Sequence, residues 1–187
     1  FGTIVYVAKN NVFLGTIVIN DRIKESARES LASLKNIGIQ KNIMLTGDTK
    51  EVADIVAREV GLDYVYSELL PQDKVDKLEE ILAEKNTIAY VGDGINDAPV
   101  LARADIGIAM GGIGSDAAIE AADVVIMDDN LDNIVRGIKV AKRTMSIAKQ
   151  NIVFAIGVKA IFLLLAAIGF GTMWEAVFAD VGVTVLC

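Results

Sequence analysis

Residues 87–99 read TIAYVGDGINDAP, and the fold turns on them. Positions 87–91 are β-branched or apolar throughout, the pattern of a strand covered on both faces. They run straight into Gly92-Asp93-Gly94-Ile95-Asn96-Asp97. A tight turn needs one or two Gly, Asn or Asp residues. This one holds two glycines, two carboxylates and an amide. In open α/β sheets, ligands gather outside the carboxyl ends of the strands. Closely spaced carboxylates there are oxygen ligands for a hard cation, and Mg²⁺ is typically shared between one or two carboxylates and a phosphate.

Outward from this stretch, strands and helices alternate. Upstream, residues 24–36 predict a helix ending at Gly38. Residues 42–45 predict a strand. Residues 50–60 predict a helix, with Asp48 as its N-cap, Glu51 three residues on and Gly61 past its end. A short strand follows at 64–66. Helix 71–84 starts with Pro71 and carries acid in its first turn. Downstream, 106–109 and 124–127 predict two more strands. The alternation implies an α/β fold, a parallel sheet wrapped by helices. At the start of the chain, runs 3–8 and 14–19 flank Lys9-Asn10-Asn11, a hairpin signal. Strand 42–45 ends in a second acidic turn, Thr46-Gly47-Asp48. Taken alone, that turn reads more readily as an Asp N-cap than as a site. Lys74, in the first turn of helix 71–84, can offer a point positive charge to a phosphate.

Composition sets limits. The 187 residues are 53% hydrophobic, which excludes a disordered chain. A single Cys, Cys187, excludes a disulfide scaffold. With no His, neither a His-ligated zinc site nor a Ser-His-Asp triad can form. A net charge of −7 argues against nucleic acid as a partner.

The charge is unevenly placed. Residues 151–187 hold only Lys159, Glu175 and Asp180, and within them 152–170 is a 19-residue apolar run broken by Lys159 alone. That length suits a bilayer-spanning helix, which needs ~20 residues. A second apolar segment follows the Gly169–Thr172 turn, with Trp174 suited to a membrane interface. Lys139, Lys142, Arg143 and Lys149 precede the run, and no Lys or Arg follows Lys159. This bias places residues 1–150 in the cytoplasm. Lys159 and Asp180 fall at similar depth in antiparallel segments and can pair. Intramembrane charge is seldom kept without a partner or a function, so Asp180 is a candidate oxygen ligand for a cation, with Lys159 as its competitor.

These motifs resemble a known family. TGD (46–48), PQDKV (71–75), GDGINDAPVLARADIGIAM (92–110) and GSDAAIEAADVVIM (114–127) are similar to the phosphorylation domain of P-type cation-transporting ATPases. The resemblance covers essentially the whole chain and implies a haloacid-dehalogenase-like Rossmannoid domain followed by transmembrane helices. Asn151, Lys159, Asp180 and Gly182 obey the spacing N-x7-K-x20-D-x-G, which resembles the zinc/cadmium/lead subgroup of heavy-metal pumps. The resemblance implies an ATP-driven efflux pump of the plasma membrane that works through an aspartyl phosphate. It implies that residues 1–20 close a nucleotide-binding domain, 21–135 are the second half of the phosphorylation domain, and 136–187 are stalk and membrane helices, with one full helix near 151–170 and a second truncated at 187.

Two family motifs are missing: DKTGT, which carries the phosphorylated Asp, and the Cys-Pro-Cys metal motif. Both lie upstream in the family, so the chain is expected to be a fragment whose partner is the rest of its own polypeptide. By resemblance, Asp93 holds Mg²⁺ and Asp97 supports its shell. Lys74 contacts the phosphoryl oxygens, as do Thr46 and Gly47 in the turn with Asp48, and Asn96 positions the phosphate. Two alternatives stay open for Asp21 (interdomain hinge or helix N-cap) and for Asp97 (Mg²⁺ shell or cap of the helix at Ala98-Pro99). Glu120, Asp123, Asp128 and Asp129 are expected to be solvated charge. The rival functions are a phosphatase of the same fold and a non-catalytic Mg²⁺-binding membrane module.

Overall fold

A computed structural model of the chain describes residues 3–19, 22–92, 94–111, 116–128, 130–169, 177 and 181–183. Two compact units are present, Phe1–Val135 and Arg136–Cys187.

The first unit opens with β1 (Thr3–Lys9) and β2 (Val12–Ile19), an antiparallel pair. Asn10 and Asn11 form the two-residue loop between them, with φ of 49° and 60°. Two consecutive left-handed residues define the turn whose twist matches paired strands, and Asn tolerates that region well. The expected hairpin is therefore present.

The α/β alternation follows as α1 (Ala27–Asn36), β3 (Ile43–Leu45), α2 (Lys50–Val60), β4 (Tyr64–Tyr66) and α3 (Pro71–Ala83). Next come β5 (Ala89–Gly92), a 3₁₀ turn (Ile95–Asp97), α4 (Ala98–Leu101), β6 (Ile106–Met110), α5 (Asp116–Ala121) and β7 (Val124–Ile126). Gly61 ends α2 in the left-handed region (φ 80°), where its N–H bonds the Ala57 carbonyl. Pro71 is the first residue of α3, where its missing N–H costs nothing.

The strand pairing differs from a single sheet. All pairs after the hairpin are parallel, but they form two groups, β3–β4 and β5–β6–β7. Among the described residues, no hydrogen bonds join β3 to β5. Periodicity identifies strands; it carries no information about which edges meet.

The core sits between β6 and the short helices. Val100 and Leu101 of α4, Ile108 and Ala109 of β6, and Ala118 of α5 are buried. The approach is close enough that a Cβ on Gly107 would lie 2.6 Å from the Leu101 carbonyl oxygen. Two carboxylates start strands from outside: Asp105 accepts the Ile88 N–H and Asp123 accepts the Gly107 N–H, both at 2.8 Å. Asp123 is exposed, as expected of solvated charge, but it has a structural role as well.

The second unit holds most of α6 (Asp132–Ala167), 36 residues long. It is the one described helix long and apolar enough to cross a membrane, and its apolar window is unburied. The helix begins 20 residues before the apolar run, so the polar and apolar halves share one continuous ladder. Asp132, at its head, accepts a 2.6 Å hydrogen bond from the buried Ser30 hydroxyl of α1.

Candidate phosphate-handling site

Both acidic turns sit at carboxyl ends of parallel strands, as the sheet rule requires. After β3, the Thr46 N–H bonds the Tyr66 carbonyl at 2.9 Å, which continues the β3–β4 ladder by one residue. The Thr46 hydroxyl donates to Asp48 Oδ2 at 2.8 Å and accepts the Asp48 N–H at 3.1 Å. Thr46 and Asp48 thus close a small loop on each other. Asp48 is not the N-cap of α2. That position belongs to Thr49, and no side chain caps it. Asp and Thr share the capping preference, so sequence alone cannot resolve a slip of one position.

The Thr46–Asp48 turn is stitched to the segment that leads into α3. The Glu68 N–H bonds the Asp48 carbonyl at 2.8 Å, and the Leu69 N–H bonds the Thr46 carbonyl at 3.1 Å. Gly47 lies against this segment, since a Cβ there would stand 3.3 Å from the Leu69 carbonyl oxygen. The Leu70 N–H is then taken by the Asp73 carboxylate at 2.9 Å, which fixes how α3 starts. Lys74 follows, one residue on, in that first turn.

Lys74 reaches the second motif. Its ammonium donates to Asp97 Oδ1 at 2.9 Å, and both side chains are largely shielded, 18% and 13% exposed. The Tyr90 hydroxyl donates to the same oxygen at 3.0 Å. Asp97 occupies the N-cap position of α4 but makes no capping bond with its side chain. Of the two readings left open for Asp97, capping is excluded by geometry. Gly92 makes room for this arrangement: a Cβ there would fall 2.8 Å from Asp97 Cβ and 3.1 Å from Tyr90 Cε1.

The structure therefore links Thr46, Gly47 and Asp48, through residues 68–70, to Lys74 and on to Asp97. Asn96 is adjacent in the 3₁₀ turn and exposed. Asp93, Asp21, Asp129 and Asp180 lie outside the described residues. Lys159 is on α6, in the apolar stretch. Among the described residues no group of three or more His, Cys, Asp or Glu side chains converges as a metal site.

Sequence reading missed Tyr90. A strand of apolar residues reads as core, and a partner seven positions away is invisible without the turn between them. The one available signal is that Tyr90 and Gly92, two apart on a strand, share a face.

Chemically, the site offers a lysine held in place by a carboxylate, beside a turn of small residues at a strand end. Such an arrangement suits a phosphoryl group. Residues 2–105 match the family described as haloacid dehalogenase-like hydrolase. The chain is 56% identical to the cadmium, zinc and cobalt-transporting ATPase of Bacillus subtilis (strain 168), over 99% of this chain and 27% of that protein. It is 54% identical to the zinc-transporting ATPase of Synechocystis sp., over 99% of this chain and 26% of that protein. It spans about a quarter of the length of these curated relatives. The crystal structure of a zinc-transporting PIB-type ATPase in the E2.Pi state is 40% identical, with a TM-score of 0.85, over 99% of this chain and 30% of that one. The resemblance to heavy-metal pumps seen in the motifs thus extends along the whole chain.

Proposed function

We propose, from the premise that the chain belongs to the haloacid dehalogenase-like hydrolase family, that it is the phosphate-handling and membrane-entering part of an ATP-driven pump for zinc, cadmium or lead ions. The observation that carries this reading is the Lys74–Asp97 pair at 2.9 Å, tied through residues 68–70 to the Thr46-Gly47-Asp48 turn. The named transport functions of the relatives supply zinc and cadmium as cargo, and the motif resemblance adds lead.

In the proposed reaction an Asp from upstream polypeptide attacks the γ-phosphorus of ATP. A carboxylate O–P bond forms, the bond to the bridging oxygen breaks, and ADP leaves. This chain contributes positioning and charge, which dominate such transfers. Lys74 neutralises the phosphoryl oxygens, and Asp97 holds its ammonium in place beforehand. Gly47 donates its N–H. The Thr46 hydroxyl donates to the phosphoryl group by turning its proton away from Asp48. Asn96 orients the phosphate. The donor set of Asp93 and Asp97 is all oxygen, which fits Mg²⁺; when bound it would supply charge neutralisation for the phosphate.

The divided sheet supports an upstream contribution. β3 and β5 end in the two acidic turns and each has an edge unpaired among the described residues. Open parallel edges are normally paired or covered, and one added strand carrying the nucleophile would satisfy both. In the same reading residues 1–20 close a nucleotide-binding domain, 21–135 form the second half of the phosphorylation domain, and 136–187 are the stalk and the helices that enter the plasma membrane, with residues 1–150 on the cytoplasmic side. Asp180 is an oxygen ligand for the transported ion, and Lys159 replaces the ion at that carboxylate on release.

The test uses the full-length protein and labelled ATP. An acid-stable phosphoenzyme should form and depend on zinc or cadmium. Lys74→Ala and Asp97→Asn should each cut its formation by roughly 10²-fold or more, the scale of losing a preorganised charge. Asp180→Ala should lose the zinc- or cadmium-stimulated ATP hydrolysis of the unaltered protein. Absence of a phosphoenzyme in the unaltered protein would refute the proposal.

A further inference from the structure

We propose that Tyr90 is a positioning residue for phosphoryl transfer, its hydroxyl fixing Asp97 so that the Lys74 ammonium stands aimed at the phosphate. This rests on the transfer reading above. Lys74 has a flexible four-carbon stem and a freely rotating ammonium, so it is a poor locator of anything by itself. The terminal torsion of an Asp is likewise broad. Here that torsion is pinned from two sides. Oδ1 accepts both the Lys74 ammonium, at 2.9 Å, and the Tyr90 hydroxyl, at 3.0 Å. On the other side, Asp97 Cβ and Oδ2 lie 2.8 and 3.2 Å from the position a Gly92 Cβ would occupy. Gly92 is thus the floor on which the carboxylate rests, and Tyr90, on the same strand face, is the wall.

A phenol is suited to this task. It donates one hydrogen bond to the carboxylate and adds no charge. A second cation at this point would compete with Lys74 for Asp97 and repel it. A Phe would fill the same volume beside Gly92, so packing alone does not call for the hydroxyl. Tyr90 touches neither substrate nor reacting atoms in this scheme; it acts through Asp97.

The experiment uses the full-length protein and its Tyr90→Phe variant, which removes only the hydroxyl. Phosphoenzyme formation from ATP should slow roughly tenfold, the scale of one charge-assisted hydrogen bond. The concentration of orthovanadate, a phosphate mimic, needed for half-saturation should rise by a similar factor. KM for ATP should stay within about twofold, and the thermal midpoint should not move. In an Asp97→Asn background, adding Tyr90→Phe should leave orthovanadate binding almost unchanged, because the oxygen through which Tyr90 acts has lost its charge. Wild-type rate and orthovanadate binding in Tyr90→Phe would overturn the inference. So would a defect that persists undiminished beside Asp97→Asn, or one matched by a fall in thermal stability. Failure of the unaltered protein to form a phosphoenzyme would count against the pump reading instead, and orthovanadate binding would still read the role of Tyr90.

Discussion

Gly92 is confined by two side chains at once. A methyl group there would stand 2.8 Å from Asp97 Cβ, which sits next to the backbone and cannot swing aside as a side-chain tip can. Gly92→Ala should therefore displace Asp97, and with it the partner of Lys74. We expect a stability loss of ~1–3 kcal/mol by overpacking, seen in denaturant titration, and a larger loss in phosphoenzyme formation. Unchanged activity would show that Asp97 has room the structure denies it. The importance of this turn was legible in the sequence, because six consecutive positions held five turn-forming or liganding residues. The Tyr90 hydroxyl was not, because its meaning depends on a bond across the turn. Asp48 was placed one position off, since its neighbour Thr49 is an equally good cap by type.

Between elements, small polar tethers do what the apolar pattern cannot announce. Asp63, at the start of β4, accepts the Asn42 N–H at 2.8 Å just before β3 and the Lys35 ammonium at 2.6 Å from the last turn of α1. The Asn42 backbone bond, then the Lys35 bond, holds its carboxyl below the ordinary value of 3.8. A depressed carboxyl adds stability above its unfolded pKa and loses it as pH falls through the folded value. Asp63→Asn should thus lower the melting temperature at neutral pH, with the gap closing below about pH 3.8. A gap that is constant with pH would assign the tether to shape rather than charge. The strands and helices α1 to α3 were readable from period and composition, and the Gly61 and Pro71 boundaries from local conformation, whereas the extent of α4, the short helix α5 and the start of α6 at Asp132 were not. The splitting of the sheet was not, because pairing is decided by edges and edges leave no periodic mark.

At the scale of the molecule, the sequence divides by charge. Residues 1–150 carry nearly all of it, and α6 crosses from one regime to the other without a break. Large apolar side chains stand exposed along its second half, Ile156 and Leu163 among them, at 63% and 71%. In cells, the protein should stay with the membrane pellet through an alkaline wash. Ile156→Arg with Leu163→Arg adds two cations to the apolar run, each costing ~2.5–3.5 kcal/mol near the centre of a bilayer. That pair should shift the 187-residue chain toward the soluble fraction, and indifference to it would remove the membrane assignment. The length of α6 has its own consequence. At ~1.5 Å per residue it is about 54 Å long, against roughly 30 Å of hydrocarbon. It contains no Pro, and its only bare positions are Gly137 and Gly157, so bending has few places to occur. Such a helix is a lever: a tilt of about 10° at one end sweeps the other through roughly 9 Å, several times the diameter of a divalent ion.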